Sequence, residues 1–170
     1  LWDYLDVSRF GEKAALATDV KPEFDFAVKS VCLIEAETGT VLYESSSDVR
    51  YMPASVTKVM TLLLVFEAID SGKIKLTDEV TASSHAAEMG GTQIYLKPGE
   101  TMTVEELIKA VAIPSANDAA VALAEYVAGS EDEFVRQMNE KAKTLGLENT
   151  NFTNCTGLFD DENHYTTAYD

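Results

Sequence analysis

A serine and a lysine three positions apart, Ser55 and Lys58, are the first residues whose types and spacing suggest chemistry. Positions i and i+3 lie on one face of a helical turn, so the hydroxyl and the amine can meet. A serine attacks only when a base takes its proton, and a lysine, with an ordinary pKa of ~10.4, is such a base only where burial or a helix N-terminus favours the neutral amine. Because this spacing is common, these residues alone favour a helix-capping serine beside a solvated lysine over a nucleophile and its general base.

A second group, Ser115-Ala116-Asn117, lies in a break between two predicted helices. Side chains that leave such a loop can face a cleft, although each residue alone is well explained as a helix cap. Combined with the first pair, the group matches the S-x-x-K plus S-x-N combination of a class of serine acyl-transfer enzymes. The two groups together therefore favour catalysis over capping. The candidate site residues are Ser55, Lys58, Ser115 and Asn117.

The first pair must be positioned by a long helix, predicted over Ala54–Ser71, with Pro53 before it and Gly72 as its C-terminal cap. Its apolar positions cover nearly the whole circumference, which is typical of a buried helix. The sequence therefore predicts a central helix whose first turn presents both reactive side chains.

The other predicted elements are a hairpin before this helix and three helices after residue 100. The hairpin strands are Val28–Ala36 and Thr40–Glu44, and Gln93–Leu96 is a short strand-like run. The helix signals are the capping boxes Thr103-x-x-Glu106 and Ser130-x-x-Glu133, a cap at Asn117 or Asp118, and stops at Pro114, Gly129 and Gly146. Two strands alone make a marginal sheet, so this order indicates an unfinished fold of strands and helices.

The composition excludes several classes of function. The chain has 170 residues, a formal charge of −16 and 46% apolar residues, which is ordinary for a folded domain. Nucleic acid is not an expected partner, because phosphate binding needs clustered Lys and Arg. The longest apolar run, Met60–Phe66, is interrupted only by Thr61 and is far below the ~18 residues of a membrane span. No Cys-x-x-Cys motif or histidine cluster occurs, so no metal site is predicted, and His85 and His164 are interpreted as surface or packing residues.

Five segments carry a resemblance to a known family: Pro53–Met60, Met89–Ile94, Pro98–Glu100, Ser115–Ala120 and Asn154–Leu158. From about residue 27 to residue 170 the chain resembles the low-molecular-mass penicillin-binding proteins, the serine-type D-alanyl-D-alanine carboxypeptidases, and most of all those of spore-forming Gram-positive bacteria. Residues 1–26 lie outside the resemblance and are interpreted as an extension or linker, with 27–170 as part of the catalytic domain.

The resemblance implies an α/β (α+β) fold of the penicillin-binding and β-lactamase type, of which this chain holds the hairpin and the helical subdomain. It implies that Ser55 attacks the carbonyl between the two terminal D-alanines of a peptidoglycan stem peptide while Lys58 accepts its proton. Ser115 would relay a proton to the leaving D-alanine. Asn117 would bind the substrate backbone and help hold Lys58. No cofactor is implied.

The resemblance also implies partners and a location. β-Lactam antibiotics, which are similar to the D-Ala-D-Ala end, are expected to acylate Ser55. Because peptidoglycan lies outside the cytoplasmic membrane, we expect an exported protein at the outer face of that membrane or in the cell wall. The parent protein could carry a membrane anchor in a C-terminal segment.

The sequence departs from the family at the third motif. No Lys-Thr-Gly occurs among the 170 residues, and Cys155-Thr156-Gly157 has cysteine in place of lysine. We therefore expect the first part of the domain, with little or no carboxypeptidase activity alone. Two alternatives stay open: a class A β-lactamase, which would have aspartate in place of Ala116 and a glutamate base after the third helix, and a penicillin-binding fold that acts as a non-catalytic module.

Overall fold

Residues 27–170 are described by the computed structural model and divide into two units. Among these residues the first unit takes in 27–51, 140–151 and 165–170, and the second takes in 52–139 and 152–164. The extension or linker predicted for residues 1–26 lies outside the described residues. No helix within 27–170 is long and apolar enough to cross a membrane.

An antiparallel hairpin opens the first unit. Strand β1, Val31–Ile34, pairs with β2, Val41–Ser45, in a register that places Cys32 opposite Glu44. The turn between them contains Gly39 at φ 71°, in the left-handed region that glycine adopts without steric cost. The predicted hairpin is confirmed, with a first strand shorter than the sequence pattern indicated and a second strand shifted by one residue.

The second unit begins with a 3₁₀ turn, Ala54–Val56, that leads directly into helix α1, Thr57–Asp70. A small antiparallel sheet and helices α2 to α5 follow. These elements are β3 (Glu79–Thr81), α2 (Ser84–Ala87), β4 (Thr101–Thr103), α3 (Val104–Ala112), α4 (Asn117–Ala128) and α5 (Glu131–Thr144), which passes into the first unit at Glu140.

Helix α4 forms the centre of this unit. All its residues from Ala119 to Ala124 are buried, and the helix contacts α1, α2 and α3. Its many alanines allow these neighbours to approach closely, since the distance between packed helices depends on the side chains at the contact.

The prediction that α1 is buried all round is wrong, because Met60 and Val65 are buried while Val59 is 68% exposed. Helix α1 turns one face to the core.

The helix starts follow local hydrogen-bonding chemistry. The predicted capping box of α3 is confirmed, because Thr103 Oγ1 accepts the Glu106 N–H at 3.3 Å and the Glu106 carboxylate accepts the Thr103 N–H at 2.8 Å. At α5 Ser130 Oγ accepts the Glu133 N–H at 3.2 Å. The Glu133 carboxylate instead accepts from Arg136, which lowers its pKa to about 2.

Helix α4 lacks the side-chain cap predicted at Asn117 or Asp118, because Ala116 occupies its N-cap position. The fully buried Asp118 carboxylate accepts the N–H of Ile94 at 3.2 Å and that of Leu96 at 3.0 Å. The run Gln93–Leu96 is therefore not a strand, and the prediction of a strand-like segment is wrong. Its amides bond to one carboxylate rather than to a neighbouring strand.

Asp118→Asn tests this buried carboxylate. The substitution keeps the shape and removes the charge, so we expect the free energy of unfolding to fall by about 2–4 kcal/mol, since hydrogen bonds to a buried charge are strong and their loss is costly. Urea denaturation measures the change, and amide hydrogen exchange at residues 94 and 96 should accelerate. The exposed Asp160→Asn is the control and should change stability by less than about 0.5 kcal/mol. Unchanged exchange at both amides would contradict the role assigned to Asp118.

Candidate active site

Ser55 lies in a strained turn at the start of α1. Ala54, just before it, has φ 47°, a left-handed conformation that is rare for residues other than glycine. The Val56 N–H donates to the Pro53 carbonyl oxygen at 3.1 Å and closes the turn. Ser55 itself is exposed. Strain of this kind concentrates at functional sites, where the surrounding structure holds it.

Lys58 is buried directly behind this serine. Only 4% of its surface is exposed. Its Nζ donates to Ser55 Oγ at 3.1 Å and to the carbonyl oxygen of Thr156 at 2.9 Å. Both acceptors are neutral, and burial lowers the pKa of Lys58 from its ordinary value. The structure thus brings together the two residues that the sequence paired, and their catalytic roles stay predictions.

The segment 154–157, which we call the lysine-holding loop, is held by several hydrogen bonds. Asn154 Oδ1 accepts the N–H of Thr156 at 3.1 Å and that of Gly157 at 2.6 Å. The Cys155 carbonyl oxygen accepts from Thr61 Oγ1 of α1 at 2.7 Å. Burial raises the pKa of the Cys155 thiol, which favours the inert protonated form. The loop is therefore fixed against α1 by bonds to backbone atoms.

Glu131, the first residue of α5, adds a further tie to this loop. Its carboxylate accepts the Cys155 N–H at 3.1 Å and pairs with His85 Nε2 at 2.7 Å. The hydrogen bond from Glu131 raises the pKa of the exposed His85. His85 is a surface residue, as predicted.

Gly157 permits the closest approach between the lysine-holding loop and residues 53–57, the 3₁₀ turn with its two flanking residues, which we call the serine turn. Its φ is +72°, and a Cβ built there would collide with the Ala54 carbonyl oxygen and lie 2.7 Å from Thr57 Oγ1. A glycine is required both by the backbone conformation and by the lack of space.

Asn117 lies at the start of α4 and contacts a second loop. Its Nδ2 donates to the Gly90 carbonyl oxygen at 2.8 Å, and its backbone N–H donates to the Thr92 carbonyl oxygen at 2.8 Å. Its Oδ1 is buried and has no hydrogen-bond partner among residues 27–170. The expectation that Asn117 helps hold Lys58 differs from the structure, in which Ser55 and Thr156 accept from that amine.

Ser115 is half-buried in the connection between α3 and α4, with φ 63°. Ser115 therefore has a left-handed backbone conformation, as does Ala54 beside Ser55. The loop that contacts Asn117 lies close to Leu158, the residue that follows the lysine-holding loop. Leu158 Cδ1 is 2.7 Å from the position that a Cβ on Gly91 would take. The two motif groups therefore border one region of the second unit.

His164 is the residue behind the turn whose contacts the sequence did not predict. It is 1% exposed, its Nε2 lies 2.7 Å from Thr57 Oγ1, and its Nδ1 accepts the Thr153 N–H at 3.0 Å. Its ring meets Phe152 edge-on at 5.7 Å between centroids, so it is a packing residue as predicted. Burial lowers the pKa of His164. No spacing pattern could signal these contacts, because Thr57 and His164 are 107 positions apart.

No group of three or more His, Cys, Asp or Glu side chains that could hold a metal ion occurs within residues 27–170.

A serine and a buried lysine on one turn, beside a Ser-Ala-Asn loop, define the class of penicillin-binding proteins with the α+β penicillin-binding and β-lactamase-like fold. The solved carboxypeptidase DacD from Francisella tularensis superposes with a TM-score of 0.84 at 33% identity, over 98% of this chain and 40% of that one. Penicillin binding protein 5 from Haemophilus influenzae superposes with a TM-score of 0.84 at 36% identity, over 88% of this chain and 44% of that one.

Residues 16–170 match the D-alanyl-D-alanine carboxypeptidase family, and the chain belongs to that family. It is 58% identical over 148 residues to the D-alanyl-D-alanine carboxypeptidase DacF of Bacillus subtilis (strain 168), which covers 87% of this chain and 38% of the relative. It is 42% identical over 163 residues to DacC of Escherichia coli (strain K12), covering 92% and 40%. The resemblance seen in the sequence is confirmed, and the chain spans about two fifths of the length of these relatives.

Gly157→Ala tests the close approach of the lysine-holding loop to the serine turn. The new Cβ would collide with backbone as well as strain φ, so we expect a loss of about 3–5 kcal/mol in the free energy of unfolding. The matched control is Gly72→Ala, because Gly72 has φ +74° but nothing within 4 Å of its Cβ position. It should lose only the ~1–2 kcal/mol of a left-handed alanine. Equal losses in the two variants, measured by chemical denaturation, would show that the loop does not press on the turn.

Proposed function

We propose that this chain carries the acylation machinery of a serine-type D-alanyl-D-alanine carboxypeptidase. The observation that carries the proposal is the buried Lys58 amine, which lies 3.1 Å from Ser55 Oγ and donates to this oxygen and to the Thr156 carbonyl oxygen, both of them neutral. A buried amine with a lowered pKa can take the serine proton, which a solvated lysine cannot do at neutral pH. Family membership and the names of the relatives point to the same activity.

The proposed reaction is an acyl transfer in two steps. Ser55 Oγ attacks the carbonyl carbon between the two terminal D-alanines, and its proton passes to Lys58 Nζ. The C–N bond breaks, and the leaving D-alanine takes a proton through Ser115. Water then attacks the Ser55 ester, which releases the shortened peptide and restores the serine hydroxyl.

Two further groups are proposed to bind the substrate. The Ser55 N–H lies at a helix start, where backbone donors lack intrahelical acceptors, and would stabilise the oxyanion. Such a donor contributes ~2.7–4 kcal/mol in the transition state. Asn117 would bind the substrate backbone, and its buried, unpartnered Oδ1 supports this role because an amide N–H of the peptide would satisfy it.

The same proposal assigns partners and a location. The substrate would be a peptidoglycan stem peptide ending in D-Ala-D-Ala, and β-lactams would acylate Ser55 in its place. The protein would act outside the cytoplasmic membrane, with residues 27–170 as part of the catalytic domain. Because no Lys-Thr-Gly occurs among the 170 residues, we expect little or no carboxypeptidase activity from this chain alone.

A labelled penicillin tests the nucleophile. Incubation followed by intact mass measurement should give a single penicillin-sized adduct, and Ser55→Ala should give none. An adduct that hydrolyses within seconds would favour the β-lactamase alternative. If neither this chain nor a longer chain with a Lys-Thr-Gly segment is acylated, the non-catalytic alternative stands.

Lys58→Arg tests the base. A guanidinium stays protonated at all accessible pH values, so the acylation rate should fall by at least about 100-fold. In the unchanged chain the rate should rise with pH as Lys58 loses its proton, with a midpoint below the ordinary lysine pKa. The control Lys109→Arg alters an exposed lysine paired with Glu105 at 2.7 Å and should keep the full rate. A rate that is independent of pH, or unaffected in Lys58→Arg, would exclude Lys58 as the base.

A further inference from the structure

The imidazole of His164 joins the serine turn to the chain segment that leads into the lysine-holding loop. On one side its Nε2 lies 2.7 Å from Thr57 Oγ1, and Thr57 stands immediately before Lys58 in α1. On the other side its Nδ1 lies 3.0 Å from the backbone nitrogen of Thr153, which immediately precedes Asn154. The residue is 1% exposed, so the ring is shielded from bulk solvent.

The contacts of Nδ1 determine the proton arrangement of the ring. Thr153 Oγ1 lies 3.3 Å from Nδ1 and can donate or accept, whereas the Thr153 backbone N–H, at the shorter distance of 3.0 Å, can only donate. The backbone contact therefore requires an unprotonated Nδ1. A neutral imidazole then carries its proton on Nε2, and the Nε2–H donates to Thr57 Oγ1. A protonated ring would carry a second proton on Nδ1, opposite the Thr153 N–H, and that hydrogen bond would be lost.

We propose that His164 is a positioning residue for acylation at Ser55: in its neutral form with the proton on Nε2, it holds Thr57 of the serine turn in register with the loop whose Thr156 carbonyl fixes the Lys58 amine. The inference rests on the proposed function. It adds a requirement that Ser55 and Lys58 alone do not impose, which is that their 3.1 Å separation depends on the hydrogen bond between His164 and Thr57.

The surroundings of His164 favour the neutral ring. Burial lowers its pKa, and Asp161, which accepts the Asn163 N–H at 2.8 Å, is the ionisable group whose charge opposes that shift. The contacts from Thr57, Thr153 and Phe152 come from groups that do not titrate near neutral pH. Lys58, the cation next to Thr57 in α1, directs its amine to Ser55 and Thr156. The hydrogen bond from the Thr153 N–H to Nδ1 is thus present at neutral pH, and it is lost as the pH falls through the lowered pKa of His164.

Nuclear magnetic resonance of the ring nitrogens tests the tautomer without reference to activity. The chain has two histidines, so ¹⁵N-histidine labelling gives two rings, and His85→Gln identifies the signals of His164. We expect an unprotonated Nδ1 and a protonated Nε2 at pH 7, with a titration midpoint below the ordinary value of ~6.5. A proton on Nδ1 at pH 7, or an averaged signal with an ordinary midpoint, would overturn the proposal.

Penicillin acylation rates of Thr57 variants test the positioning role. Thr57→Val removes the acceptor oxygen at nearly constant volume, and the loss of one buried hydrogen bond predicts an acylation rate about tenfold lower, with Thr57→Ser restoring most of it. The difference in rate between Thr57→Val and the unsubstituted chain should narrow as pH falls through the lowered pKa of His164, because the protonated ring no longer accepts the Thr153 N–H in either protein. If Thr57→Val does not fold, His164→Asn, which can accept from Thr153 but does not reach Thr57, should show the same loss.

The outcomes separate the two proposals. An unchanged chain that forms no adduct would overturn both the proposed function and the role of His164 in it. An unchanged chain that is acylated, with Thr57→Val or His164→Asn equally fast or slower by a factor that does not vary with pH, would overturn the positioning role alone.

Discussion

A buried amine held by neutral oxygens is the constraint on which the rest of the site depends. Removing an ammonium from water is costly unless a carboxylate or several strong acceptors replace the hydration. Lys58 instead donates to a hydroxyl and to the Thr156 carbonyl. That environment favours the uncharged amine, and it requires a backbone carbonyl delivered to the first turn of a helix from nearly 100 positions away. Several contacts of the second unit hold the Thr156 carbonyl group in this position.

The lysine-holding loop meets this requirement by satisfying its backbone groups internally and against its neighbours. Asn154 accepts two of its N–H groups, Glu131 accepts a third, and Thr61 donates to a carbonyl oxygen. Gly157 then lets the loop approach the serine turn more closely than any residue with a Cβ would allow. This loop has no helix or strand of its own, and these bonds pair its backbone polar groups as a helix or strand would.

Helix α4 and the loop that it contacts position the second motif, Ser115-Ala116-Asn117, in a similar way. The buried Asp118 holds the amides of Ile94 and Leu96, while Asn117 holds the carbonyl groups of Gly90 and Thr92. Two left-handed residues, Ala54 and Ser115, border the resulting region. The left-handed backbone conformation of each residue costs free energy in isolation. It persists because the packed elements around the residue hold it.

The amino-acid sequence by itself determined the local features: the Ser55–Lys58 spacing, the α3 capping box, the hairpin turn and the family that these segments resemble. Each depends on residues within a few positions of one another, where the geometry of a turn or helix leaves little choice. Only the tertiary structure decided that α4 rather than α1 is central, that Gln93–Leu96 bonds to a carboxylate instead of a strand, and that Thr156 and His164 surround the serine turn. Those outcomes depend on contacts between residues far apart in the chain, and no periodicity or spacing encodes which distant partner will satisfy a buried polar group.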